Sequence, residues 1–156
     1  MRVGLIVLVL LLGGGLAYIR LAPSDPGRWH IDPIAAPPPG ATGWKLAPDG
    51  GDAAAPVWAV RPEELLEALD AIALSTPRTS RLAGSPATGR VTYVTRSRIM
   101  GFPDYTTVQA IPAEGGSTLV AVARLRFGQS DLGVNRARLE DWVAQLSARL
   151  DQSTKG

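Results

Sequence analysis

The pattern of apolar and polar positions divides the chain into three stretches. Val3 to Ile19 contains no charge and is bracketed by Arg2 and Arg20. It is apolar on every side, so as a helix it has no polar stripe to turn toward water. At helical rise it spans roughly 25 Å, near the lower limit for crossing a hydrocarbon core. Lipid offers no hydrogen-bond partners, so such a run crosses as a helix or is removed. Residues 1–21 therefore read as a signal anchor, a single transmembrane helix. The competing reading is a cleaved signal peptide with Gly15-Leu-Ala17 as its small-residue site. In either case the rest of the chain is expected outside the cytoplasm.

The second stretch, 22–56, has no period. Residues 23–56 hold eight of the 13 prolines, including Pro37-Pro-Pro39, and five glycines. Such composition builds no core, which predicts an extended, semi-rigid linker with a reach on the order of 100 Å. Arg28-Trp-His-Ile-Asp32 interrupts it. Trp29 either anchors at a lipid–water interface or, with Trp44, packs back onto the folded domain. His30, beside it, reads as an ordinary surface residue.

The third stretch, 57–150, is periodic. Pro62 to Leu74 predicts a helix, with Pro62 at its first position and Glu63 and Glu64 on the positive dipole end. Leu65, Leu69, Ile72 and Ala73 form its apolar face. Four strands follow, near 79–83, 90–99, 105–111 and 118–127, separated by Gly-, Pro- and Asp-rich turns. In the last, Leu119, Ala121, Ala123, Leu125 and Phe127 share one face; Val120, Val122, Arg124 and Arg126 share the other. In the second, Val94, Arg96 and Arg98 oppose Tyr93, Thr95 and Ile99. A final helix starts near Asn135 as N-cap, with Leu139, Trp142, Val143, Leu146 and Leu150 facing the core. The order predicts an α+β, two-layer sandwich: a four-stranded antiparallel sheet with two helices on one face. Residues 151–156 read as a disordered tail.

Charge adds a location. Net charge is only +2 from 16 basic and 14 acidic side chains, which gives no field that argues for nucleic acid. Yet residues 78–138 hold nine arginines against Asp104, Glu114 and Asp131, a local excess of six positive charges. If the two Arg-bearing strands face alike, Arg96, Arg98, Arg124 and Arg126 gather on the helix-free side of the sheet. Like charges opposed across a sheet destabilise it, so they must be staggered, paired or matched by an anion. The turn Gly128-Gln-Ser-Asp-Leu-Gly-Val-Asn135 opens the last helix, and backbone N–H groups in such a turn can hold an anion. The candidate ligand-binding set is therefore Arg96, Arg98, Arg124, Arg126, Ser130, Asp131, Asn135 and Arg138. The same Ser, Asp and Asn also serve as ordinary turn and cap residues, and both roles stay open.

The chain has no cysteine and one histidine, His30. That excludes disulfides, thiolate chemistry, and any triad or metal site needing several histidines within one chain. No Walker or dinucleotide glycine pattern is present. The expectation is a non-enzymatic domain without metal or cofactor. Its expected partners are the membrane through the N-terminal helix, an anionic small molecule or lipid headgroup, or another envelope protein. A tethered protein-interaction module is the alternative, and an enzyme completed by a partner ranks below it.

Two motifs carry a resemblance. Ser97-Arg-Ile-Met-Gly-Phe-Pro-Asp104 together with Arg124 to Arg138 resembles the bacterial domain-of-unknown-function family 1499, over about residues 57–150. Trp29-His-Ile-Asp-Pro33 is similar to membrane-anchored alphaproteobacterial members. The resemblance implies a small envelope-associated domain with no established reaction; the signal-type N-terminal segment adds the expectation of a single-pass protein of the bacterial inner membrane with its domain in the periplasm. Many members carry an Asn-Cys segment near the start of the domain; with no cysteine here, no role tied to that thiol carries over.

Overall fold

The apolar run forms a helix, α1 (Arg2–Leu21), in the computed structural model, which describes residues 2–153. Its stretch Val3–Leu21 is long and apolar enough to cross a membrane, with a mean hydropathy of 2.2. Met1, the first residue of the expected anchor, lies outside the described residues.

The four strands expected from alternation are all present, as β4 (Thr79–Ser85), β5 (Arg90–Arg96), β6 (Pro103–Ala113) and β7 (Gly116–Leu125). They pair in sequence as antiparallel neighbours. The sheet does not stop at four. Three short strands join it: β1 (Gly43–Ala47), β2 (Ala53–Ala54) and β3 (Val57–Trp58). The full sheet has seven strands, in the order β2-β1-β7-β6-β5-β4, with β3 also on β7. β1 takes the upper half of the open β7 edge, Leu46 opposite Ala121, while β3 takes the lower half, Val57 opposite Thr118. β1 lies so close to β7 that a side chain at Gly43 would run into the Ala123 carbonyl, 1.9 Å from an ideal Cβ.

The stretch read as a linker is thus largely folded. The prolines exclude a long strand but not a five-residue one, and β7 supplies the partner that a short strand needs. The tail also differs from expectation. The last helix, α4 (Val134–Ser153), continues through 151–153, and residues 154–156 lie outside the described residues.

α4 and α3 (Pro62–Ser75) lie on one face of the sheet. Leu65, Leu69, Ile72, Tyr93, Val108, Leu119, Trp142 and Leu146 form the core between them. Trp142 is fully buried; its edge meets Tyr93 at 5.6 Å and its Nε1 donates to Thr76 Oγ1 at 2.9 Å. Asp70 of α3 is buried, and accepts from Arg81 at 2.5 Å and from the Tyr93 hydroxyl at 2.8 Å. Burial, and then that bond to Asp70, push the Tyr93 hydroxyl far above the ordinary tyrosine range.

The other face, expected to be helix-free, carries no long helix but is covered. Residues 22–36 cross it as a strap, including a single turn, α2 (Pro26–Trp29). Trp29 stacks on Tyr105 with ring centres 3.9 Å apart and planes at 12°. His30 Nδ1 bonds Thr92 Oγ1 at 2.8 Å, Thr92 bonds Thr107 Oγ1 at 2.8 Å, and Thr107 donates to the Trp29 carbonyl at 3.2 Å. Buried Lys45 donates to the carbonyls of Ala36 at 2.5 Å and Ile34 at 3.3 Å. His30 is therefore half-buried and bonded, not a plain surface group.

Candidate functional site

The start of β4, the end of β5, the start of β6 and the end of β7 lie at one end of the sheet, and α1 ends there too. Tyr18 in the last turn of α1 meets Phe127 edge-on at 6.4 Å, and Phe102 lies 6.3 Å from the same ring. Arg20 Nη2 donates to the Ile99 carbonyl at 2.8 Å and Nε to that of Met100 at 3.3 Å. Gly101 makes room for this contact. It sits at φ 72°, open to glycine without strain, and its α-carbon faces the Arg20 stem.

Beside that contact is a groove of about 520 Å³ lined by Arg20, Arg78, Arg96 and Arg98, with Thr79, Ser80 and Ser97. Arg78 Nε is anchored on the Arg96 carbonyl at 3.1 Å, and Arg96 Nη1 on the Gly101 carbonyl at 3.0 Å. Arg78 holds the left-handed conformation, φ 60°, uncommon for a side-chain-bearing residue and costly without compensation. Each anchored guanidinium retains further N–H donors beyond the ones committed to carbonyls.

A second group of arginines lies next to the strap. Arg126 Nη1 donates to the Pro23 carbonyl at 2.9 Å and to the Tyr105 hydroxyl at 3.2 Å, and that hydroxyl also bonds Ser24 Oγ at 2.7 Å. Arg124 and Arg28 both lie over the Trp29 ring, at 5.1 and 5.2 Å. Arg124 Nε and Nη2 are buried and bond no protein group. Burial pulls its guanidinium below the usual arginine range, and Arg28 adds to the shift. Among the described residues, none of Arg20, Arg28, Arg78, Arg96, Arg98, Arg124 and Arg126 forms an ion pair with a carboxylate. Asp25 Oδ1, in the strap, accepts from the Gly27 N–H at 2.9 Å.

The expected candidate set therefore divides. Arg96 and Arg98 enter the groove. Arg124 and Arg126 lie beneath the strap, not on an open face. Ser130 and Asp131 serve their own turn: Ser130 Oγ accepts from Leu132 N–H at 3.2 Å, and Asp131 accepts from Gly133 and Asn135 N–H, both at 3.0 Å. Asp131 does the capping expected of Asn135. Asn135 is instead fully buried, and its Oδ1 accepts from Arg138. Arg138 also pairs with Asp104 at 3.6 Å, on the helix-covered face. Burial raises the Asp104 carboxyl although Arg138 pulls it down, and burial likewise lowers Arg138. Arg136 pairs with Glu140 at 2.8 Å. Among the described residues, no three His, Asp or Glu side chains converge as metal ligands would.

Arg20 and Arg78 were missing from the candidate set. Arg20 flanks the apolar helix and Arg78 follows the Pro77 helix stop, and nothing in their spacing links either to Arg96 and Arg98. Only the return of α1 and of the α3–β4 turn to one end of the sheet joins them.

The sequence profile of a family described as protein of unknown function (DUF1499) matches residues 30–146, three-quarters of the chain. The chain belongs to this family. The matched region begins within the strap, so it includes β1 and β2 with the rest of the sheet. No curated protein and no solved structure matches the chain significantly.

Proposed function

We propose that this DUF1499 protein is a single-pass anchored domain of the bacterial inner membrane, facing the periplasm, that binds an anionic group in the groove of Arg20, Arg78, Arg96 and Arg98. One observation carries the reading: four arginines line one groove and, among the described residues, no carboxylate pairs with any of them. Gathering like charges costs energy unless an anion offsets it, and planar guanidinium groups bind phosphate or carboxylate in two-pronged fashion. The strained backbone of Arg78 supports the same reading, because strain of this kind collects where a side chain is needed in place.

The reading is of binding rather than turnover. His30 belongs to the strap network with Thr92, and the groove offers arginines and hydroxyls without a base beside them. A module on a long tether fits less well, since the stretch meant to be its tether is packed on the sheet.

The test is an NMR titration of the full chain in mild detergent with inorganic phosphate, beside an Arg78→Glu, Arg98→Glu variant. Both side chains are exposed, so the variant is expected to keep its fold. Saturable shifts at the amides of Thr79, Ser97 and Arg98 that vanish in the folded variant are expected. Equal shifts in both proteins, or none in either, would sink the reading.

A further inference from the structure

The turn 97–102 holds two exposed apolar side chains, Ile99 at 79% and Met100 at 41% of full exposure. In water that placement is unfavourable. It sits, however, in direct contact with the end of α1, the one helix among the described residues that is long and apolar enough to cross a membrane. Arg20 grips the backbone of both residues. The 19 residues Val3–Leu21 span about 28 Å as a helix, close to the thickness of a hydrocarbon core, which puts Arg20 at its boundary. The turn is held at that depth. Tyr18, of a residue type that populates membrane interfaces, gathers there with Phe102 and Phe127. The arginine groove opens beside the turn and shares Arg20 and Gly101 with it.

We propose that the anion taken by the groove is the phosphate-bearing headgroup of an anionic phospholipid in the bilayer that α1 crosses, and that Ile99 and Met100 sit among the adjoining acyl chains. This rests on the anionic-groove reading above and names its ligand class. Apolar side chains and basic groups acting on one surface are what firm interfacial binding requires. Arg20 gives the geometry its specificity: its stem continues α1, while its head ties the turn and lines the groove.

The chain lacks cysteine, so a single introduced one reports on one place. Full-length Ile99→Cys and Glu114→Cys, each carrying an environment-sensitive fluorophore, would be placed in nanodiscs of phosphatidylcholine with or without phosphatidylglycerol. Glu114 is at the opposite end of the sheet, in the β6–β7 turn. The label at 99 is expected to shift to the blue and to be quenched by shallow nitroxide lipids, while the label at 114 stays aqueous. Phosphatidylglycerol retained through detergent extraction is expected to fall at least about tenfold in the Arg78→Glu, Arg98→Glu variant. A label at 99 that stays aqueous in both discs overturns the proposal. So does equal phosphatidylglycerol retention by wild type and variant. A detergent titration with glycerol phosphate separates the two readings. If it binds wild type but not the variant while position 99 stays aqueous, the groove takes a soluble anion and only the lipid assignment falls. If nothing binds, both fall.

Discussion

The two faces of the sheet are built on different terms. Beneath α3 and α4 the contacts are large, apolar and closed, and the carboxylates there are met: Asp70 by Arg81 and Tyr93, Asp104 by Arg138. Beneath the strap the contacts are one aromatic stack, a chain of hydroxyls and carbonyls, the Arg90–Asp32 pair and, among the described residues, Arg124 and Arg126 with no acidic partner. The first face supplies most of the stability through buried area. The second face holds a short irregular segment in register, and a polar network does this better than a smooth apolar surface, since each bond fixes a position. The arginines are concentrated at the end of that second face and in the groove beside it, where α1 arrives.

The largest expected contrast is between two tryptophans. Trp142→Ala should cost about 3–5 kcal/mol, the range for an aromatic removed from a closed core. Trp29→Ala should cost about 2 kcal/mol, because a strap can settle where a core cannot. Chemical denaturation of the full chain in micelles measures both. The smaller loss should also come with faster tryptic cleavage after Arg28. Equal losses, with the strap no more open to trypsin, would show that the two faces do not differ.

A second contrast uses charge. Arg81→Met leaves Asp70 buried with only Tyr93 beside it, and should cost about 2 kcal/mol, below the value for a fully buried pair because Arg81 is 37% exposed. Arg124→Met removes a guanidinium with buried, unbonded nitrogens and should leave stability within about 1 kcal/mol of wild type, on the stabilising side. The same chemical denaturation checks both; a clear loss for Arg124→Met would show that its stacking on Trp29 outweighs its desolvation.

The smallest effect concerns pH. Burial, and secondly Arg90, depress His30 below its usual 6.5. The folded chain therefore favours the neutral ring more than the unfolded chain does. This contribution is complete above 6.5 and is lost as pH falls through the depressed value. His30→Asn keeps a hydrogen-bonding group toward Thr92 without the titration. The melting temperature of the variant should fall less than that of wild type on acidification below 6.5. Parallel curves would remove His30 from the account.

Legibility in the sequence follows the same division. The helix-covered face repeats with periods of two and 3.6, and its elements, Trp142 included, can be read residue by residue. The strap has no period. Trp29 meets Tyr105 across 76 positions of sequence, and no local rule reports such a pair. β1 was hidden for a related reason: five residues between prolines carry too little pattern, and their pairing depends on an edge that forms elsewhere in the chain. Arg96 was legible through alternation; Arg98, expected on the same strand, lies past the end of β5 in the 97–102 turn and reaches the groove from there, and Arg20 and Arg78 join them only by topology. Asn135 looked like a cap because its residue type suits one, but Asp131 reached the helix end first.

The short passage from α1 to the strap has a consequence for how this protein meets anything else. Only residues 22–25 separate the two helices, and Ala22 still bonds back to Tyr18. Four residues reach at most about 14 Å. With α1 in a bilayer, the domain explores a plane rather than a volume, and its encounters are set by lateral diffusion and surface density rather than by bulk concentration. If the groove takes headgroups as proposed, confinement to that plane presents them at a high, nearly constant effective concentration. Weak intrinsic affinity would then be enough to keep it occupied, and occupancy would follow the composition of the leaflet.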